Sequence, residues 1–359
     1  VAKLIQKVEA EKRIKVYTNA ELIEVKGSIG DFTTTLNDAL GNQVEIKHGA
    51  VIVATGGVEY KPTEYLYGKD SHIVTQLELE GALAKGTINA STIVMINCVG
   101  SRDEERPYCS RICCTQAIKN ALKIKERDPN AEVYVLYKDI RTYGSKEDYY
   151  KEATRKGVKF VLYDDDSKPA VDRKNGKLHV IFYDPILGEK FALSPDLLVL
   201  SAAILPPEGN EDLAKMLKVP LIMDGGLLLP PFNLRPVEFA TDGIFLCGLA
   251  HSPKFVDESI SQACAAASKA CSILSKPFVE AEGIVAWVDE DLCHSCGTCV
   301  EICSYGAIEL DDERIARVNE VLCKGCGTCS ATCPRKAITM RNFTDEQLLR
   351  QIIAMKEAG

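Results

Sequence analysis

Eight of the fifteen cysteines stand in two copies of one spacing: Cys293, Cys296, Cys299 and Cys303, then, thirty residues on, Cys323, Cys326, Cys329 and Cys333. Each copy reads C-x2-C-x2-C-x3-C. Three thiols on one tight loop can take three corners of a cubane cluster, while the fourth, starting the following helix, points away and ligates the other cluster. The spacing therefore predicts one 4Fe-4S cluster on Cys293, Cys296, Cys299 and Cys333, and a second on Cys323, Cys326, Cys329 and Cys303. Glycines in C-H-S-C-G-T-C and C-K-G-C-G-T-C let the backbone wrap such a cluster and aim amides at its sulfides. Zinc wants a closed tetrahedron of four ligands, usually from paired C-x2-C knuckles, and triplets of cysteine supply an awkward excess. His294, inside the first loop, reads as a solvated loop residue rather than a ligand.

The double spacing resembles that of the bacterial two-cluster ferredoxins, including Pro334 directly after the last cysteine. Ser304 departs from the pattern, which has proline there, and puts only the local turn in question. Four further cysteines, Cys98, Cys109, Cys113 and Cys114, occupy one turn, C-V-G-S-R-D-E-E-R-P-Y-C-S-R-I-C-C. Cys98 ends an apolar strand, and Cys113 and Cys114 open a helix whose dipole favours thiolates. On residues alone, a third cluster and redox or structural thiols remain equally open. Arg102, Arg106 and Arg111 could offset the charge of a cluster, although exposed loop arginines are at least as common.

These thiols must be positioned by the elements around them. Val1 to Lys12 reads as helix. Residues 13 to 25 alternate as strands do, and F-T-T-T-L with Val44 to Ile46 continues a small antiparallel unit around Gly41-Asn42. A buried apolar strand, Ala50 to Ala54, runs into Thr55, Gly56 and Gly57, where glycines let a ligand approach the backbone. Its counterpart is a strand, Ile244 to Cys247, a turn at Gly248, and a small-residue helix from about Asp257. Between them, residues 91 to 202 alternate strands (T-I-V-M-I-N-C, E-V-Y-V-L-Y, K-F-V-L-Y, D-L-L-V-L-S) with a helix of roughly Cys113 to Arg127, implying a parallel, doubly wound sheet. No G-x-G-x-x-G opens this unit, which argues against a nicotinamide nucleotide. Cys264 and Cys271 read as small residues on one packed helix face, and Cys247 as core.

The segment around Gly248 resembles the flavin-binding return of two-dinucleotide-domain flavoproteins, with Leu249-Ala250 where an acidic residue is usual. Taken with C-x10-C-x3-C-C in the nucleotide-domain position and the double-cluster ferredoxin, nearly the whole chain resembles the A subunits of heterodisulfide reductase and their bacterial relatives. The resemblance implies an α/β, thioredoxin-reductase-like flavoprotein with a C-terminal α+β ferredoxin domain. It divides the chain into a first FAD-domain part (1–90), an inserted α/β unit carrying a cluster (91–202), an FAD-domain return (203–283), the ferredoxin (284–341) and a C-terminal helix (342–359). It also implies a third 4Fe-4S cluster on Cys98, Cys109, Cys113 and Cys114, and FAD near Ala54, Thr55, Gly56, Gly57, Gly248, Ala250, Lys254, Ser259 and Gln262. Relatives carry the first strand and glycine fingerprint of the flavin domain upstream. Here neither is present, so either upstream residues or a companion chain completing the FAD site is expected.

The activity implied is that of an oxidoreductase subunit in the CoB-CoM heterodisulfide/ferredoxin system or a bacterial relative: electron bifurcation, with FAD receiving an electron pair and sending single electrons along two branches, one of them to ferredoxin. Implied partners are the other heterodisulfide-reductase-type subunits, in a dimeric complex, and a hydrogenase or formate dehydrogenase acting through a small iron-sulfur subunit. The alternative is a non-bifurcating electron-transfer or scaffold subunit of a quinone-linked or aromatic-reducing complex. A net charge of -8 without a basic block argues against nucleic acid, and no run of eighteen apolar residues spans a membrane. Reduced cluster thiols in such number point to the cytoplasm, and several clusters to an anaerobe. Thr344 with Gln347 forms a capping-box pattern for a last helix with Leu348, Ile352 and Met355 on one face.

Overall fold

A computed structural model describes residues 1–222, 224–227, 235–279 and 283–357. Its centre is a five-stranded parallel sheet in the order Ile73–Thr75, Leu197–Ala202, Thr92–Val99, Glu132–Tyr137, Lys159–Leu162. The middle strands are continuous apolar runs because both faces are covered. Helices Gln76–Lys85, Cys113–Arg127 and Glu147–Arg155 pack on one face through Leu79, Ile118, Ala121 and Ala153. The other face carries a three-stranded antiparallel sheet, Ala170–Lys174, Lys177–Asp184 and Glu189–Leu193, which contributes Leu178, Val180 and Phe182 to a second core. The strand order reverses between Thr92–Val99 and Leu197–Ala202, and the carboxyl ends flanking such a switch point are where open sheets hold ligands.

Before this unit lies the antiparallel sheet Glu21–Ser28, Asp31–Asn37, Gln43–His48. The alternation expected from residue 13 becomes strand only at Glu21, and the first helix is shorter than expected, Ala2–Ala10, with no buried residue. Among the described residues Val51–Val53 pairs, in parallel, only with Ile244–Leu246. Of this first strand only Val53 is buried, and Ile52 is exposed, because a two-stranded sheet leaves one edge and part of one face uncovered. Helix Val256–Leu274 follows the second strand and buries Ala266 and Ala270. Cys264 and Cys271, expected on its packed face, are exposed. Alanine, serine and cysteine give this helix too little polarity contrast to fix its rotation from sequence.

The C-terminal unit repeats one module. Strand Ala286–Val288 pairs with Ile338–Met340, and Ile308–Leu310 with Ala316–Val318, so the end of the second copy lies beside the start of the first. Each third cysteine lies within a five-residue helix, Thr298–Ile302 or Thr328–Thr332. Each fourth cysteine closes that helix as its C-cap, instead of starting the next one. Ser304 supports the same turn as Pro334: Gly306 N–H donates to Cys303 O at 3.0 Å, as Lys336 N–H does to Cys333 O at 3.1 Å. Thr344 and Gln347 do form a reciprocal cap on helix Asp345–Glu357, whose Ile352 and Met355 are exposed.

Candidate electron-transfer site

Two voids mark the C-terminal unit. One is lined by Cys293, Cys296, Cys299 and Cys333; the other by Cys303, Cys323, Cys326 and Cys329. The grouping is the crossed one, each fourth cysteine being delivered to the other copy's loop by the strand pairing above. Amides already point at the sulfurs: Ala307 N–H donates to Cys303 Sγ at 3.3 Å, Ala337 to Cys333 at 3.3 Å and Ala286 to Cys323 at 3.4 Å. Burial, and then neighbouring thiols that include Cys323, Cys326 and Cys303, push Cys329 up to about 11. Hydrogen bonds from Thr298 and Thr328 lower Cys296 and Cys326. A buried thiol such as Cys329 stays protonated until a cationic centre takes it as a ligand. Among the described residues, no three His, Cys, Asp or Glu side chains converge as ligands of a single ion. In a cubane each thiolate binds a different iron, so a ring of thiols around a void is the fitting arrangement. Gly325, at φ +61°, holds the second loop against the chain, where a Cβ would stand 2.5 Å from Ile284 O.

The internal quartet sits at the switch point of the parallel sheet. Cys98 closes the central strand with φ +63°, and Arg102 and Arg111 repeat that left-handed conformation, so the loop curls over the strand end. Gly100 is required within it, because an added Cβ would lie 2.3 Å from the Tyr60 ring. Cys113 and Cys114, at the start of helix Cys113–Arg127, are buried, as is Cys98. Cys113 lies near the other three thiols, and Cys98 near Cys109 and Cys114. Burial, then Cys114, with Cys109 contributing, pushes Cys98 up to about 11; Cys113 is raised by its bond to Cys114, by burial and by all three other thiols. Cys114 is drawn down to about 7 by its hydrogen bond from Cys113. Arg102 Nη1 stands 4.0 Å from Cys98 Sγ and 2.8 Å from Asp139, which Arg141 also binds at 3.0 Å. Arg106 turns away to Gly100 O and the Tyr60 ring.

Arg111 joins this loop to the segment after Gly248. Its guanidinium donates to Pro253 O at 3.2 Å and to Glu258 at 2.8 Å, and lies over Tyr143. Thr55, Gly56 and Gly57 meet Gly248 and Leu249 at the shared carboxyl edge of the two-stranded sheet: a Cβ on Gly57 would stand 3.5 Å from Leu249, and Gly56, at φ +77°, faces open space. Ala54, Thr55 and Gly57 are exposed. Gln262 is engaged by Gly248 N–H at 3.1 Å, the Ser259 hydroxyl donates to Phe255 O, and Ala250 is buried in the core. Lys254 is different. It is 7% exposed, donates only to Ser252 Oγ at 2.9 Å and Ser252 O at 3.2 Å, and has no carboxylate partner among the described residues. Burial, then the nearby Arg111 charge, brings it down to about 8. Glu258 offsets this only in part and makes no ion pair with Lys254, so the buried ammonium fits an anionic or electron-rich ligand at this edge.

Sequence reading missed the polar residues behind the quartet. Asn97, Ser201, Gln76 and Asn120 are all buried, and each looked like the end of an apolar run or an ordinary helix residue. It also missed the half-buried ion pair of Lys324, within the second cluster loop, with Asp242, just ahead of strand Ile244–Leu246.

This geometry is that of an iron-sulfur protein. The 4Fe-4S dicluster domain family matches residues 286–340. Across the larger part of the chain, the A subunit of H(2):CoB-CoM heterodisulfide,ferredoxin reductase from Methanothermobacter thermautotrophicus is 39% identical over 297 residues, 77% of this chain and 44% of the relative. The iron-sulfur A subunit of CoB-CoM heterodisulfide reductase from Methanocaldococcus jannaschii is 39% identical over 346 residues, 89% and 52% respectively. A protein of Archaeoglobus profundus named as like the heterodisulfide reductase A subunit is 35% identical over 360 residues, 89% and 51%. The chain belongs to the family of heterodisulfide reductase A subunits and spans about half the length of these curated relatives. Among solved structures, T. acidophilum thioredoxin reductase aligns over 77% of this chain and 80% of its own with 17% identity and a TM-score of 0.48. No described helix is long and apolar enough to cross a membrane.

Proposed function

We propose that this chain conducts single electrons between a flavin and an external iron-sulfur partner, as the flavin-bearing subunit of a heterodisulfide-reductase-type complex. The observation that carries this reading is the pair of voids ringed by crossed cysteine quartets. Cys293, Cys296, Cys299 and Cys333 would hold one 4Fe-4S cluster, Cys323, Cys326, Cys329 and Cys303 the second, and Cys98, Cys109, Cys113 and Cys114 a third. When bound, these groups supply one-electron chemistry, and FAD supplies the exchange between electron pairs and single electrons.

The chain's own part is placement. Thr55, Gly56 and Gly57 with Gly248 form the edge on which FAD would lie, and Lys254 supplies the unpaired cation for it. Arg111 fixes the internal quartet against that edge. The ferredoxin unit is oriented as well: Tyr305, Ala307, Ile308, Cys323 and Lys324, around the second void, also line clefts shared with the body of the chain, whereas the first void is walled only by residues 288 to 338. This orders the second quartet inward and the first outward.

The relatives' names extend the reading. One is named for H(2), or formate, together with the CoB-CoM heterodisulfide and ferredoxin. On that basis the complex takes electrons from a hydrogenase or formate dehydrogenase through a small iron-sulfur subunit, and divides them between a disulfide and ferredoxin by bifurcation at FAD. The test is purification of the native complex with iron, sulfide and flavin analysis: about twelve irons in this chain are expected from three four-iron clusters. About eight would leave the internal quartet empty and remove it from the path.

A further inference from the structure

Behind Cys114 runs a chain of hydrogen bonds through the core with a single direction. Asn120 Nδ2 donates to Gln76 Oε1 at 2.9 Å, Gln76 Nε2 to Ser201 Oγ at 3.2 Å, the Ser201 hydroxyl to Asn97 Oδ1 at 2.6 Å, and Asn97 Nδ2 to Cys114 Sγ at 3.8 Å. All four residues are no more than 1% exposed, and they come from two strands and two helices. Burying four polar side chains on the helix-covered face of the sheet, where Met95 and Ala117 belong to the core, is costly unless each is satisfied. The sense is set at Asn120, whose Nδ2 also donates to the Gln76 backbone O at 3.1 Å and must therefore face Gln76, leaving Gln76 Oε1 to accept and Gln76 Nε2 to donate onward. The Gln76 amide occupies the Ser201 oxygen, so the serine proton goes to Asn97 Oδ1, which turns the Asn97 NH₂ towards the sulfur. At the far end Asn120 Oδ1 has no partner among the described residues, and Tyr163 OH fixes the Asn97 backbone by donating to Asn97 O at 2.5 Å.

We propose that Asn97, Ser201, Gln76 and Asn120 form a polarised relay that stabilises negative charge on Cys114 and so raises the reduction potential of the centre held by the internal quartet. Each bond in such a chain polarises the next, and N–H donors to a ligating sulfur favour the more negative, reduced state of a cluster. The four are positioning residues: only Asn97 touches a ligand, and none touches the cofactor. The inference rests on the quartet holding a cluster, as proposed above.

The test is an EPR-monitored redox titration of the full chain in its native complex, with the internal signal identified as the one lost in Cys114→Ala. Asn97→Leu is expected to lower the reduced-to-oxidised ratio at fixed potential about tenfold, a fall of about 59 mV for one electron. Ser201→Ala, which contacts no cysteine, should lower it in the same sense by a smaller factor, and Ser201→Thr, which keeps the hydroxyl, should restore it. If Asn97→Leu fails to load iron, the Ser201 pair still decides the matter. Unchanged potential in Ser201→Ala with about twelve irons bound, or an equal fall in Ser201→Thr, overturns the relay alone. About eight irons in the unaltered chain overturns both the relay and the three-cluster reading.

Discussion

The proposed crossed ligation makes a clean prediction, because it says which two cysteines can be lost together at the expense of one cluster. Cys303 and Cys323 line the same void, although they belong to different copies of the spacing, and Cys293 and Cys303 line different voids, although they belong to the same copy. The cause is the pairing of Ala286–Val288 with Ile338–Met340, and the hairpin of Ile308–Leu310 with Ala316–Val318 that joins Cys303 to the loop of Cys323. The perturbation is paired substitution by alanine, since a serine hydroxyl can itself ligate iron. Starting from about twelve irons per chain, Cys303→Ala with Cys323→Ala should leave about eight, because one site is struck twice. Cys303→Ala with Cys293→Ala should leave about four, because both ferredoxin sites are struck once. Ligation within each copy gives the opposite pair of numbers. Iron and sulfide analysis of the anaerobically purified chain, with EPR spin quantitation, reads the outcome directly. Thermal unfolding should follow the same order, as ligand binding here is also folding energy. Four irons in the first double variant and eight in the second would refute the crossed arrangement.

Three further outcomes follow from individual contacts. Lys254 is held near 8, below its ordinary 10.5, so between those values the unfolded chain binds more protons and stability rises with pH, the penalty being complete below pH 8. Lys254→Met in the flavin-free chain should therefore be more stable at pH 7 by up to roughly 3 kcal/mol, the gap closing towards pH 10.5; urea unfolding at the two pH values checks this, and equal stability at pH 7 would contradict it. Lys324→Glu should loosen the ferredoxin unit from the body by about 1 kcal/mol, with Asp242→Lys restoring it, read as hydrogen-exchange protection over residues 241–244 and 319–325. Protection unchanged in the single variant would show that the pair does not dock the unit. Thr75→Ala removes a buried cap that accepts from Glu78 N–H at 3.3 Å and donates to Glu59 at 3.0 Å, and should cost about 1 to 2 kcal/mol in thermal unfolding; a loss below about 0.5 kcal/mol would place the cap's work on Glu78 alone.

What could be read from the sequence was whatever the chain writes locally. Cubane ligation needs three thiols on one loop, so Cys293, Cys296 and Cys299 announce themselves within seven residues, and the switch-point position of Cys98 follows from the apolar run that ends on it. The rotation of helix Val256–Leu274 was not legible, because its small residues carry no strong preference for either face, and Cys264 and Cys271 proved to be exposed. The relay was invisible for another reason. Gln76 and Ser201 are 125 residues apart, and Asn97 and Ser201 are 104 apart; each, taken alone, is a polar residue where an apolar segment stops. Only the parallel register, which sets Leu200 beside Ile96, brings Asn97 and Ser201 to the same level of the sheet, one step before Cys98 and in reach of Cys114. The thiols that could hold a cluster are thus declared by spacing, whereas the groups that could set its potential are specified by sheet order. Two chains with the same cysteine pattern could hold the same cluster at different potentials, and comparing their residues at positions 97, 201, 76 and 120 would say in which direction they differ.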